Sequence, residues 1–339
     1  MAKVQLRTFL VKLFAVLLPV ALAIGVLNHF YVNGYYYRDV YHEIDKMLEV
    51  PDEIQMVNLG SSHGLATFRY PEDGVVRYNL ALSGEDLFHD FATLRHFSSH
   101  LAKGCIVALP VSYFSFCMSN EEPSQKRYYA YLDREELRGF SYETLINAKY
   151  IPVLRSGEFI IKDLIKDQEL DVGAAMMEDR TDDPVPESAA DAAAQEPAAE
   201  PAFDAAKDAE LRAHAKGRAE SWRAGYMNAG RVHIRENMQI LTEMVRFCYE
   251  NGFRPVLVST PIYEALNEQF TQEELQTCYF DPMAEVQAAT GAPFLDLSHD
   301  AVLSNEPAYY GNSDHMNEAG AAAFYVRYTA FLKSNDLME

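Results

Sequence analysis

Twenty residues from Leu13 to Val32, LFAVLLPVALAIGVLNHFYV, contain no Asp, Glu, Lys or Arg. A run of that length suffices to cross the hydrocarbon core of a bilayer as a helix. The segment before it carries Lys3, Arg7 and Lys12 and no acid, and the stretch after it, YRDVYHEIDKMLEVPDE, is acidic. This asymmetry orients residues 1–12 in the cytosol and the bulk of the chain outside it. Tyr31 and Tyr35 to Tyr37 suit the outer membrane–water interface. Two other readings compete with an anchor at 13–32. Ala21 to Ala23 resembles a small-residue cleavage site, as in a signal peptide, and an apolar run can also be a buried core helix. The run continues past Ala23 to Leu27, which favours an uncleaved anchor. Anchor and signal peptide alike place the remainder outside the cytoplasm; the expected location is a cell membrane, crossed once.

After a linker at 33–53, strand-like and helix-like patterns alternate. EIQMVNLG, VVRYNLAL, CIVALPVSYFSF, RPVLVSTP and APFLDLS read as strands. DLFHDFATLRHFSSHLA reads as a helix stopped at Gly104, and RVHIRENMQILTEMVRFCYENG as an amphipathic helix closed by Gly252. PMAEVQAAT and MNEAGAAAFYVRYTAFLKSN complete the helical set. Such alternation predicts an α/β fold, a parallel sheet between two helical layers. Ligands of such sheets bind beyond the carboxyl ends of the strands. Polar clusters stand at four of those ends: Gly60 to Gly64, Ser83 to Asp86, Ser112 to Ser115, and Ser259 with Thr260.

The pattern lapses between 166 and 215, in a segment rich in Ala, Pro and acid. Eleven acids and two bases lie between Glu178 and Glu210, against a net charge of −21 for all 339 residues. A segment with so little apolar surface is expected to be a disordered insertion, with partial helix near AAKDAELRAHAKGRAE and order returning at Ser221. The acidic balance disfavours nucleic acid as a partner. Cys105, Cys117, Cys248 and Cys278 show no metal-ligand spacing, so no metal is expected. Disulfides are allowed outside the cytosol, but the apolar settings of Cys105 and Cys248 favour buried thiols.

Three blocks offer residues of nucleophile chemistry, and each also has a plainer reading: a Gly/Ser turn, a helix cap, and an exposed loop with Asn317 or Asp314 as N-cap. NLGSSHG puts Ser62 at a strand end between Gly60 and Gly64, where small residues permit a tight turn. NLALSGED, from Asn79 to Asp86, offers the Gly84 N–H as an oxyanion donor, although Ser83, Glu85 or Asp86 could equally serve as helix caps. YYGNSDHMNEAG brings Asn312, Asp314 and His315 to the start of the last helix, and His has the right ordinary pKa for a general base. His63 and His299 read as cleft wall. Tyr113, Phe114 and Phe116 read as core or as the lining of an acyl or sugar pocket.

In order and spread these blocks resemble the SGNH/GDSL hydrolase superfamily. Gly60-Ser61-Ser62 is similar to its Gly-Asp-Ser block, Asn79 to Glu85 to its Asn-x-Gly-x-Ser-Gly-Asp block, and Asn312 to His315 to its terminal Asp-x-x-His. With its N-terminal helix, the chain looks most like the membrane-anchored branch that includes D-alanine transfer and alginate O-acetylation proteins. The resemblance implies a flavodoxin-like three-layer domain over 54–165 and 216–339, working without a cofactor. It implies a membrane-anchored serine esterase or O-acyltransferase acting on acyl esters of cell-envelope polysaccharide, with a membrane acyltransferase as partner and small esters as further substrates. Ser62 is then the nucleophile and His315 the base. Asp314 orients the base, and the oxyanion or cleft residues are Gly84, Asn79, Ser112 and Asn312. Three departures stand out. The Gly-x-Asn-Asp block is missing after the third strand, leaving Ser112 as substitute donor; Asn312 stands where the family has an acid; and Ser61 stands where it has Asp. The last leaves the choice between Ser61 and Ser62 to alignment. The rival reading these departures support is a catalytically silent SGNH-fold scaffold in envelope polysaccharide assembly.

Overall fold

The computed structural model describes residues 2–33, 43–120, 123–155 and 204–338. The chain divides into two compact units, Met1–Leu48 with Pro123–Gly173, and Glu49–Glu122 with Ala174–Glu339. Residues 123–155, expected in the sheet domain, thus belong with the N-terminal helix.

In the first unit, α1 (Ala2–Asn33) contains a span from Leu6 to Asn33 long and apolar enough to cross a membrane. Its large apolar side chains, such as Phe9, Phe14, Val16 and Leu22, are exposed. Such a surface is costly in water and ordinary in lipid. Near the end of α1, Asn28 Oδ1 accepts the Val153 N–H at 3.0 Å, tying the helix to the turn Pro152–Arg155.

The second unit holds a five-stranded, all-parallel sheet in the order β2-β1-β3-β4-β5. The strands are β1 (Ile54–Asn58), β2 (Arg77–Asn79), β3 (Leu101–Pro110), β4 (Arg254–Ser259) and β5 (Phe294–Asp296). Met56, Val57, Ile106 to Leu109 and Val256 to Val258 are buried, as central strands covered on both faces require. Its helices of six or more residues are α2 (Ser62–Thr67), α3 (Leu87–His96), α4 (Ala205–Trp222), α5 (Ile234–Glu250), α6 (Asp281–Thr290) and α7 (Glu318–Ser334). α3, α5 and α6 pack side by side, and α2 packs on α7. Right-handed crossovers put these two groups on opposite faces, because the strand order reverses at β1. That reversal opens a crevice at the carboxyl ends of β1 and β3.

Two boundaries differ from the sequence expectation. α3 ends at His96 rather than running to Gly104: the Ser98 hydroxyl donates to the Arg95 carbonyl at 2.7 Å, and Leu101 already starts β3. Helix is already present from Ala205, well before Ser221. Asp204 caps α4 by accepting from Ala206 N and Lys207 N at 2.9 and 3.0 Å, and Leu211, Ala215, Ala219 and Trp222 bury one stripe of the helix. Small apolar residues at helical spacing supply enough packing to fix a segment whose overall composition reads as solvated. Residues 166–203 of the expected insertion lie outside the described residues.

Candidate active site

β1 delivers the chain to the crevice at Asn58, and α2 begins four residues later at Ser62. The turn between them depends on glycine. Gly60 has φ +110°, and a Cβ there would lie 3.1 Å from the Pro110 ring. At Gly64 a Cβ would lie 2.6 Å from the Leu59 carbonyl oxygen. Buried Asp90, on α3, accepts the Gly60 N–H at 2.7 Å, and the Gly60 carbonyl accepts from Leu82 N at 3.0 Å. The two turns that leave β1 and β2 are thereby stitched together.

The loop before α7 places His315 over this turn. His315 Nε2 lies 2.8 Å from Ser62 Oγ. Its Nδ1 lies 3.1 Å from Asn312 Oδ1, which also accepts the backbone N–H groups of Asp314 and His315 at 3.1 and 3.0 Å. Two backbone donors on one amide oxygen fix which end of Asn312 faces the ring. His315 must therefore carry its proton on Nδ1, which leaves Nε2 as an acceptor for the Ser62 hydroxyl.

Asp314 does not hold His315 as expected. Its nearest carboxylate oxygen is 3.7 Å from His315 Nδ1. The same Oδ2 takes His63 Nε2 at 3.1 Å and Arg218 Nε and Nη2, each at 2.7 Å. The reason is local: Asn312, three residues before the histidine, closes an Asx turn onto it and takes the position an orienting acid would need. Burial raises the Asp314 pKa, but the charges of His315 and Arg218 and the bond from His63 outweigh it, so the carboxyl stays well below its usual range.

Two further expectations are corrected. Ser112 Oγ is 2.6 Å from His63 Nδ1. Because His63 Nε2 donates to Asp314, Nδ1 is the acceptor and the Ser112 hydroxyl is spent on it, not on an oxyanion. Asn79 is a strut rather than a cleft residue. Its Nδ2 donates to the Leu65 and Phe68 carbonyls at 3.2 and 2.9 Å, and its Oδ1 accepts from Asn58 Nδ2 at 2.9 Å and Ala81 N at 3.0 Å.

A cleft of about 250 Å³ opens over Ser62 and His315. Ser61, Ser83 and Gly84 form one side, with Gly84 at φ +64°. Phe114, Trp222 and Tyr226 form an aromatic wall; Phe114 and Tyr226 stack with centroids 4.9 Å apart, and Phe114 meets Trp222 edge-on at 4.8 Å. His63 lies behind, buried, with its pKa lowered chiefly by burial, so that it stays neutral beside the ionised Asp314. Cys105, Cys117, Cys248 and Cys278 are buried free thiols. His63, Asp314 and His315 present donor atoms within 4.8 Å of one another, a spacing a metal ion could use. Arg218 already occupies that carboxylate, and a guanidinium at 2.7 Å opposes a second cation there.

Reading the sequence missed Asp90, Arg218, Trp222 and the role of His63. Arg218 and Trp222 lie on α4, at the edge of the segment dismissed as insertion. The signal was the Leu211, Ala215, Ala219, Trp222 spacing, which defines a helix face and puts His214 and Arg218 on its flank. His214 Nδ1 meets Ser313 Oγ at 2.8 Å and Lys207 Nζ donates to the Gly311 carbonyl at 3.1 Å, so α4 clamps the whole histidine loop. No family model and no curated protein matches the chain.

Proposed function

We propose that this chain is a membrane-anchored serine esterase or O-acyltransferase of the SGNH type, with its sheet domain outside the cytoplasm and acyl esters of cell-envelope polysaccharide as substrates. The observation that carries this reading is the chain of contacts Ser62 Oγ, His315 Nε2, His315 Nδ1, Asn312 Oδ1 at 2.8 and 3.1 Å, at the carboxyl edge of a parallel sheet. Serine is a weak nucleophile until a base takes its proton, and a base needs a fixed tautomer. Ser62 attacks the ester carbonyl as its proton passes to His315 Nε2, and the backbone N–H groups of Ser62 and Gly84 hold the oxyanion. His315 then protonates the departing alcohol, and water or an acceptor hydroxyl, deprotonated by His315, releases the acyl group from Ser62. Asn312 orients the imidazole in the place of an acid. The 250 Å³ cleft and its wall of Phe114, Trp222 and Tyr226 suit a short acyl group beside a sugar ring, whose apolar C–H face packs on aromatic rings.

The commitment of the Ser112 hydroxyl to His63 removes one side-chain oxyanion donor and favours the second reading, a silent scaffold. A fluorophosphonate probe separates the two. Labelling of the wild type and not of Ser62→Ala supports the enzyme; absence of labelling, together with no hydrolysis of a short acetyl ester, overturns it.

A further inference from the structure

We propose that Arg218 is a positioning residue that sets the basicity of His315 through Asp314. The inference rests on His315 being the base of the reading above. The three groups meet at one carboxylate oxygen. Arg218 Nε and Nη2 lie 2.7 Å from Asp314 Oδ2, and that oxygen lies 3.7 Å from His315 Nδ1. Asp314 is fully buried and Arg218 is one-quarter exposed. All of the bonding to Asp314 runs through Oδ2; its Oδ1 has no hydrogen-bond partner among the described residues. The carboxylate is thus held by a cation more than by a full set of donors.

A carboxylate this close to an imidazole stabilises the imidazolium and raises its pKa. A base raised too far would be protonated, and idle, near neutral pH. Arg218 offsets that charge. The remaining groups around His315 do not take over the task. His63, on α2, is buried and kept neutral. Ser62, Ser83 and Gly84 carry no charge. Glu85 turns away, accepting from Leu82 N at 3.1 Å and Thr93 Oγ1 at 3.4 Å. His214, one turn before Arg218 on α4, is committed to Ser313. Asn312, the direct partner of Nδ1, is neutral. Orientation and charge, which a single acid would provide together, are divided here between Asn312 and the Asp314–Arg218 pair, and the second half of that pair comes from a helix remote in sequence.

The test is the titration of His315 in the full-length protein in detergent, with ¹³C-labelled histidine Cε1 followed by NMR and His315 assigned through His315→Gln. Arg218→Gln is expected to raise the His315 pKa by about one unit, and Arg218→Lys to restore most of it. Asp314→Asn is expected to lower it, and Arg218→Met, which keeps an unbranched stem without the charge, decides the matter if Arg218→Gln does not fold. In parallel, the rate of Ser62 modification by the fluorophosphonate is measured against pH. In Arg218→Gln its acid limb should move up by the same amount while the plateau at high pH is kept. A His315 pKa unchanged in folded Arg218→Gln or Arg218→Met, or a rate lowered equally at every pH, overturns the proposal and assigns Arg218 to structure alone. A wild type that takes no probe overturns the esterase reading instead, while the titration still decides the role of Arg218.

Discussion

Asn312 Oδ1 gathers three donors at 3.0 to 3.1 Å, the backbone N–H groups of Asp314 and His315 and the Nδ1–H of the His315 ring. One atom thus shapes the loop and selects the tautomer of the base. Asn312→Ala should lower the rate of Ser62 modification about 100-fold, since a free imidazole samples the wrong tautomer and orientation. Asn312→Asp keeps the acceptor and adds a charge, so activity survives and the acid limb of its pH profile moves upward. A pH series of probe inactivation on both variants checks the pair.

The turn before Ser62 makes a stability prediction. Gly60→Ala forces a side chain onto φ +110° and towards Pro110, and Gly64→Ala presses on the Leu59 carbonyl. Each should cost about 1–3 kcal/mol and lower the thermal midpoint, whereas Gly217→Ala, where nothing lies within 4 Å of the added atom, should not. Midpoints of the three variants in the same detergent provide the comparison.

The sheet could be read from the sequence because apolar runs such as QMVN and VALP, each ending in a polar cluster, have few alternatives to buried parallel strands. Ser62 follows a strand end, where side chains escape the core, and His315 stands in the loop that opens the last helix; the sequence offers both as candidates on that ground alone. What could not be read was the allocation of partners. Whether Asp314 or Asn312 meets His315 depends on the closing of one Asx turn, and three-residue spacing alone does not reveal it. Ser112 could not be separated from an oxyanion donor without knowing that His63 folds back against it. The role of α4 was hidden by composition, since alanine and charge dominate a helix that nonetheless buries Trp222.

Acid should destabilise the sheet domain in two stages. The folded-state pKa of His63 is depressed below its ordinary 6.5. As pH falls below about 6.5 the unfolded chain binds a proton that the folded chain refuses, so stability declines until the folded pKa is reached. Asp314, also depressed, contributes stability that is full above its ordinary 3.8 and declines below it. Thermal melts from pH 7.5 to 3 should show both stages, and His63→Gln should flatten the upper one.

For α1, the span Leu6–Asn33 predicts retention in the membrane pellet after alkaline carbonate extraction. Leu17→Arg with Val20→Arg, two charges at mid-span, should release the chain to the supernatant or abolish its insertion. Immunoblots of both fractions read the outcome.

Trp222 is the sole tryptophan of the chain. Its ring lies 5.5 Å from that of His63, 4.8 Å from Phe114 and 5.7 Å from Phe270, and it lines the cleft. The tryptophan fluorescence of the whole protein therefore issues from one indole at the candidate site. Protonation of His63 should quench it, and an acyl group on Ser62 should shift it, so proton uptake and cleft occupancy can be followed in real time without an attached dye.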